Sequence, residues 1–216
     1  VTCATLLVRQ AAPGQPNPPL AAMATVVSPA EPGGITGIFI QPGDGRRPIL
    51  DEVEAATTSI DLEIYIVSDD EILEALEAAR ARGVNVRVLL EEHPYGGGGG
   101  QQGIFDRLVA AGIDVRWSNP IFRFSHIKMM VIDHDLLIIM NQNLTTSSFT
   151  GNRELGVITT TPEAVQAASA IFEADWAQDA EPLPGPLVVS PTNARSSLQD
   201  LIDGAQTSVD VYAEVL

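Results

Sequence analysis

The run Ile60-Asp-Leu-Glu-Ile-Tyr-Ile66 is followed by Asp69-Asp-Glu-Ile-Leu-Glu-Ala-Leu-Glu-Ala-Ala-Arg-Ala-Arg-Gly83 and then by Val84-Asn-Val-Arg-Val-Leu-Leu90. The first part alternates strictly: Ile60, Leu62, Ile64 and Ile66 share one face and Asp61, Glu63 and Tyr65 the other, the period of a strand. The second part spaces Ile72, Leu73 and Leu76 as one helical stripe. Asp69, Asp70 and Glu71 suit the positive N-terminal end of that helix, and Arg80, Arg82 and Gly83 close it. The third part is another strand, entered directly. Strand, helix and strand joined by such short links predict an α/β sheet.

The same alternation continues outward. Gly37-Ile-Phe-Ile40 reads as a strand, Gly43-Asp-Gly45 as a turn, and Pro48 opens a helix. After the glycine run Gly96 to Gly100 come a helix to Ala111, a strand Ile113 to Trp117, a hairpin-like pair of strands, a strand near Glu154 to Thr159 and a helix near Pro162 to Trp176. The expected class is α/β, with a sheet covered on both faces. Glu63 and Tyr65, opposite the apolar stripe, read first as part of a solvated face and second as pocket residues. His93 beside Pro94 and the glycine run reads as a loop tip, or as the edge of a substrate entrance.

With 45% apolar and 19% charged residues the chain can bury a core, and no apolar run is long enough to span a bilayer as a helix. Its one cysteine, Cys3, excludes an internal disulfide, and zinc-ligand spacing is missing. Twelve basic residues against 28 acidic ones give a net charge of -16, which argues against holding a long phosphate backbone by bulk charge. An anionic substrate must be held locally.

Residues 1–34 are proline-rich and read as a tail or linker, and residues 35–182 as the main domain. Shifting residues 40–64 by 149 positions overlays them on 189–213 without a gap. Pro42, Arg46, Asp51, Ala56, Thr58, Ser59 and Asp61 meet identical residues at Pro191, Arg195, Asp200, Ala205, Thr207, Ser208 and Asp210. A period this long predicts a duplicated domain, with residues 183–216 the truncated start of a second copy.

The chemistry concentrates in Phe122-Arg-Phe-Ser-His-Ile-Lys-Met-Met-Val-Ile-Asp133, where His126, Lys128 and Asp133 have the spacing H-x-K-x4-D. On a strand His126 and Lys128 share a face. Asp133-His-Asp135 is a polar turn, and Leu136 to Asn143 is the returning strand, which brings Gln142 or Asn143 opposite His126. An imidazole, an ammonium and two carboxamides, from Asn141 and Asn143, then converge, a set able to hold and attack a phosphate. Lys128 is the only lysine beside eleven arginines, so an ammonium is specifically placed there. Asp133 reads as a catalytic candidate or as an anchor of its own turn. A metal at Asp133-His134-Asp135 is disfavoured, since adjacent turn residues rarely converge on one ion.

These residues resemble the phospholipase D superfamily, whose hallmark is H-x-K-x4-D followed by a small-residue turn and an asparagine. Asn152-Arg-Glu154 stands where that family carries N-x-E, and Arg82-Gly-Val-Asn-Val-Arg-Val88 is typical of it. The resemblance covers residues 35–180 and again 186–216. It implies a phospholipase D-like α/β/α sandwich with a mixed central sheet, one full copy and the beginning of a second. It also implies that His126 is the nucleophile, that Lys128 and Asn143 hold phosphate oxygens, and that Glu154 orients the imidazole. Met140-Asn141 replaces the usual Gly-Ser, so Asn141 would bind phosphate without the usual hydroxyl. No cofactor or metal is implied. The acid for the leaving group would come from a second H-x-K-x4-D motif, in cis in a longer chain or across a homodimer.

The expected activity is a phosphodiesterase or phosphatidyltransferase working through a phosphohistidine. A zwitterionic lipid headgroup or small phosphodiester is favoured over nucleic acid, because a net charge of -16 is repelled by a long polyanion and by an anionic membrane surface alike, with a nuclease as the alternative substrate class. A non-catalytic phosphate-binding or scaffold module is the competing reading, motivated by Met140-Asn141.

Overall fold

The computed structural model describes residues 4–7, 34–95, 101–179 and 184–213. In chain order the elements are β1 (Ala4–Leu7), β2 (Ile35–Ile40), α1 (Arg47–Ala55), β3 (Ser59–Ile64), α2 (Asp70–Ala81), β4 (Asn85–Leu90), α3 (Gln102–Ala110), β5 (Asp114–Trp117), β6 (Lys128–Ile132), β7 (Leu136–Met140), α4 (Thr146–Thr150), β8 (Leu155–Thr159), α5 (Pro162–Ala177), α6 (Ala194–Asp203) and β9 (Asp210–Ala213). Seven strands form one sheet in the order β2-β8-β7-β6-β3-β4-β5. The β3, β4 and β5 strands run parallel, whereas every other pairing in the sheet is antiparallel. This is the mixed α/β sheet expected from the sequence.

The sheet has a core on each face. On one, Ile60, Leu62, Ile64, Val86, Val88, Met130, Ile132 and Ile138 pack against Ile49 and Val53 of α1, Ile72, Leu73 and Leu76 of α2, and Leu108 of α3. On the other, Leu89, Met129, Val131 and Leu137 meet Val165, Ala168, Ile171 and Phe172 of α5. Because helices cover both faces, all six residues of β3 are buried, including Asp61 and Glu63. The solvated face first read there is corrected. Asp61 is neutralised by Arg87, whose guanidinium donates to both its oxygens at 2.7 and 2.8 Å and also reaches Glu173 at 2.6 Å.

Local chemistry sets the boundaries. The α2 helix carries Asp70 and Glu71 in its first turn and Arg80 in its last, complementing the helix dipole, and Gly83 leaves it at φ 97°, a conformation that favours glycine. The β6–β7 connection turns on Asp133 and His134, at φ 53° and 59°, with Asp135 N–H donating to Ile132 O. Asp133 is then locked from outside: its carboxylate accepts from the N–H groups of Thr57, Thr58 and Ser59 and from Thr57 Oγ1. The turn is thereby bound to the start of β3.

Within the stretch read as a tail or linker, Ala4–Leu7 is a strand paired antiparallel with β9, so the backbone polar groups of this short run are met by a strand edge. Apart from Gly34, its remaining residues, and the glycine run 96–100, lie outside the described residues. Two positions that the 149-residue shift overlays make similar turns. Ile40 N–H donates to Asp44 Oδ2 and Asp44 N–H to Ile40 O, at 2.7 and 3.2 Å; Val189 N–H donates to Asn193 Oδ1 and Asn193 N–H to Val189 O, at 2.7 and 2.9 Å. Each turn leads into a helix, α1 or α6. Val53 of α1 is fully buried, whereas Ile202, its counterpart in α6, is 50% exposed.

Candidate active site

Beyond Lys128 the neighbours of β6 enclose its beginning. On one side Tyr65 N–H donates to Ile127 O, extending the β3 ladder past Ile64. On the other, continuing the β6–β7 register from the pairs Met129–Ile139 and Met130–Ile138 sets Gln142 opposite His126. The chain leaving β7 then crosses to β3: Leu144 N–H donates to Ile66 O, and Leu144 O accepts from Ser68 and Asp69. That crossing carries Asn143 over the start of β6. His126 itself stands in the irregular run into β6 rather than on the strand, because the ladder on the β7 side stops at Met140.

In this enclosure Lys128 is 4% exposed, and its Nζ lies 3.1 and 3.3 Å from Nδ1 and Nε2 of His126 while donating to His126 O at 3.0 Å. The Tyr65 ring forms a wall, with its centroid 4.4 Å from the imidazole and 5.1 Å from the ammonium. Tyr65 Oη accepts from Tyr95 N–H, tying the wall to the segment after β4. Burial, and next the neighbouring Lys128 charge, depress the His126 pKa to about 4. The imidazole is therefore neutral near pH 7 and has a lone pair. Among the described residues, the buried carboxamide oxygen of Asn143 and both polar side-chain atoms of fully buried Gln142 have no hydrogen-bond partner.

Three candidates from the sequence are placed differently. Asp133 is at the opposite end of β6, about 17 Å along the strand from Lys128 at some 3.3 Å per residue. It anchors a turn there, at a distance from His126. Asn141 acts as an extra β7 rung: its N–H donates to Leu155 O, and its Oδ1 accepts from Leu155 N–H at 2.8 Å. Glu154 accepts from Asn152 Nδ2 at 3.1 Å and makes no hydrogen bond to His126 among the described residues. The β7–β8 register sets Gln142 between them, about two strand spacings, or roughly 10 Å, from Glu154 to His126.

Tyr65 was legible only as a pocket alternative, from its place opposite the apolar stripe. Ser125 and Glu91, which pack behind His126, carry no motif. Among the described residues no three His, Cys, Asp or Glu side chains converge as a metal site, and no helix is long and apolar enough to cross a membrane. A hollow lined by His134, Asp135, Pro162 and Val165 lies beside the β6–β7 turn, away from His126.

Comparison with known proteins agrees with this geometry. The family described as "Cardiolipin synthase, PLD-like domain" matches residues 49–176. A probable cardiolipin synthase of Bacillus subtilis, YwiE, is 33% identical over 166 residues, covering 72% of this chain and 32% of that protein. The human mitochondrial cardiolipin hydrolase is 33% identical over 124 residues, covering 57% and 48%. The chain thus spans between a third and a half of the length of these relatives. In fold it resembles Nuc of Salmonella typhimurium, a phospholipase D family member, with a TM-score of 0.61 at 24% identity over 68% of this chain and 96% of Nuc. A motif that carries His126 and Lys128 into one enclosure, a mixed sheet of this order and a family match over more than half of the chain agree: the chain belongs to the phospholipase D superfamily and carries a PLD-like domain of the cardiolipin synthase type.

Proposed function

We propose that this chain supplies the nucleophilic half of a phosphodiester hydrolase or phosphatidyltransferase. The observation that carries the reading is the buried Lys128 ammonium held against a neutral His126. At rest Lys128 covers the imidazole nitrogens. A phosphate entering beside Asn143 offers that ammonium a better acceptor, an anionic oxygen, and its transfer to the phosphate uncovers the lone pair. The imidazole nitrogen then attacks phosphorus. An N–P bond forms as a P–O bond breaks, and the leaving alkoxide takes a proton from an acid. Water or an alcohol next attacks phosphorus, giving its proton to the conjugate base of that acid as the N–P bond breaks, and the imidazole returns to the neutral form. Lys128 and the Asn143 carboxamide hold charge on the phosphoryl oxygens throughout. The acid belongs to a second copy of the motif, in cis; the rebuilt turn at Val189–Asn193, which leads into α6, supports such a copy.

The similarity to a cardiolipin synthase and a cardiolipin hydrolase favours a phospholipid substrate, and the net charge of -16 disfavours a long polyanion. The test is turnover of phosphatidylglycerol and cardiolipin vesicles by the full-length protein, beside plasmid cleavage. Lipid turnover lost in His126→Ala supports the reading. Plasmid cleavage alone would move the substrate to nucleic acid, and phosphate binding without turnover would favour the scaffold reading, to which the commitment of Asn141 to Leu155 points.

A further inference from the structure

Behind His126 stand buried carboxyl groups that the chemistry above does not use. Ser125, 8% exposed, immediately precedes His126 and is gripped twice: its N–H donates to Glu91 Oε2 at 2.8 Å and its Oγ to Glu63 Oε1 at 2.6 Å. Glu91 also accepts from Ser118 Oγ and from His93 N–H. Glu63 is 1% exposed, and its second oxygen is buried without a partner.

From this arrangement we infer that Glu63 and Glu91 are positioning residues, which clamp Ser125 between β3 and the end of β4 and so fix the backbone from which His126 meets Lys128 and Tyr65. The inference rests on the reading of His126 as nucleophile. Stability alone does not call for Glu63. It lies on the sheet face formed by Leu89, Met129 and Val131, where an apolar side chain would avoid the cost of burying an unpaired polar oxygen. A clamp does call for it, because Ser125 Oγ needs a buried acceptor at that point. A displacement of about 1 Å at a reacting group can cost roughly a hundredfold in rate.

The clamp also has a charge state. Burial, reinforced by Asp175 of α5 and opposed by the Ser125 hydrogen bond, raises the Glu63 pKa to about 8. The ionisable groups on the surrounding elements are Asp175, Glu91, His126 with Lys128, Tyr65 on its own strand, and Arg87, which is committed to Asp61 and Glu173. Near neutral pH Glu63 is protonated. Ionisation places a second negative charge beside Asp175, but the Ser125 Oγ–H bond favours the anion, so the clamp holds in either charge state.

The experiment uses the full-length protein, with kcat and KM for bis(p-nitrophenyl) phosphate measured from about pH 6 to 9.5 alongside the His126 imidazole NMR resonances. Ser125→Ala should lower kcat roughly tenfold or more with KM held, and should move the His126 resonances. Glu63→Gln still accepts from Ser125, so it should keep kcat and the His126 resonances near wild type, whereas Glu63→Leu, which cannot accept, should reproduce the effects of Ser125→Ala. Unchanged kcat and resonances in Ser125→Ala, or in Glu63→Leu, would overturn the inference. A wild type without turnover sinks the proposed function instead, and the His126 resonances still decide this one.

Discussion

Replacing Asp133 by alanine separates the structural account of this residue from a catalytic one. Its carboxylate receives three backbone N–H groups and the Thr57 hydroxyl at distances from 2.7 to 2.9 Å. Thr57 and Thr58 are exposed, so water replaces the carboxylate there at little cost, whereas Ser59 is buried and its N–H has no ready substitute. Counting about 1 kcal/mol net for each well-shielded bond and less for the exposed ones gives about 2 kcal/mol. Alanine at φ 53° adds about 1 kcal/mol of backbone cost, so the variant should lose about 3 kcal/mol. The assay is urea unfolding, in which the midpoint should fall at unchanged slope while turnover per folded molecule stays near wild type. The donors hold the Asp133 carboxyl well below the ordinary carboxylate range, so its stabilisation is complete above the unfolded pKa of about 4 and is lost as pH falls through the lower folded value. Acid unfolding of the variant should accordingly be less steep in pH. A variant as stable as wild type but without turnover would refute this reasoning and return Asp133 to the chemistry.

Other perturbations follow from the same geometry. Lys128→Met removes the second cause of the low His126 pKa, so it should rise from about 4 toward 6.5 without reaching it, because burial remains; NMR titration of the three histidines reads this directly. In wild type the linkage has the same sign as for Asp133: the unfolded chain binds this proton first, so the His126 contribution to stability is present above about pH 6.5 and is lost as pH falls toward 4. Gly156→Ala would drive a methyl into the buried Phe39 ring and should cost about 3 kcal/mol or prevent folding, as thermal melts would show. Arg87→Leu strands Asp61, which is 2% exposed, and should cost about 3–5 kcal/mol by urea unfolding.

Much of the fold was legible because local and global signals agree. The alternation of Ile60 to Ile66 and the stripe of Ile72, Leu73 and Leu76 mark β3 and α2 within two residues of where they stand, and the pairing of His126 and Lys128 follows from their spacing. What spacing could not convey is which end of a strand a residue occupies relative to the chemistry. Asp133 belongs to the same short motif as His126, yet β6 separates them along its length. The burial of Asp61 and Glu63 was hidden for a related reason: a polar face signals solvent unless the helix that covers it, here α5, is known. The α4 helix, Thr146–Thr150, went unseen because a single turn of Thr and Ser has no apolar period; it is started by Thr145, whose side chain accepts from Ser148 N–H.

The central claim is that His126 forms a covalent bond to phosphorus. Full-length protein should be mixed with a phosphodiester substrate carrying an isotopic label in its phosphorus-containing half, quenched at alkaline pH to spare the acid-labile N–P bond, and digested for mass spectrometry. The account predicts label on the peptide containing His126, formed as fast as the leaving group is released and missing in His126→Ala. Release of the leaving group at the wild-type rate by His126→Ala, or label on a different residue, would contradict it.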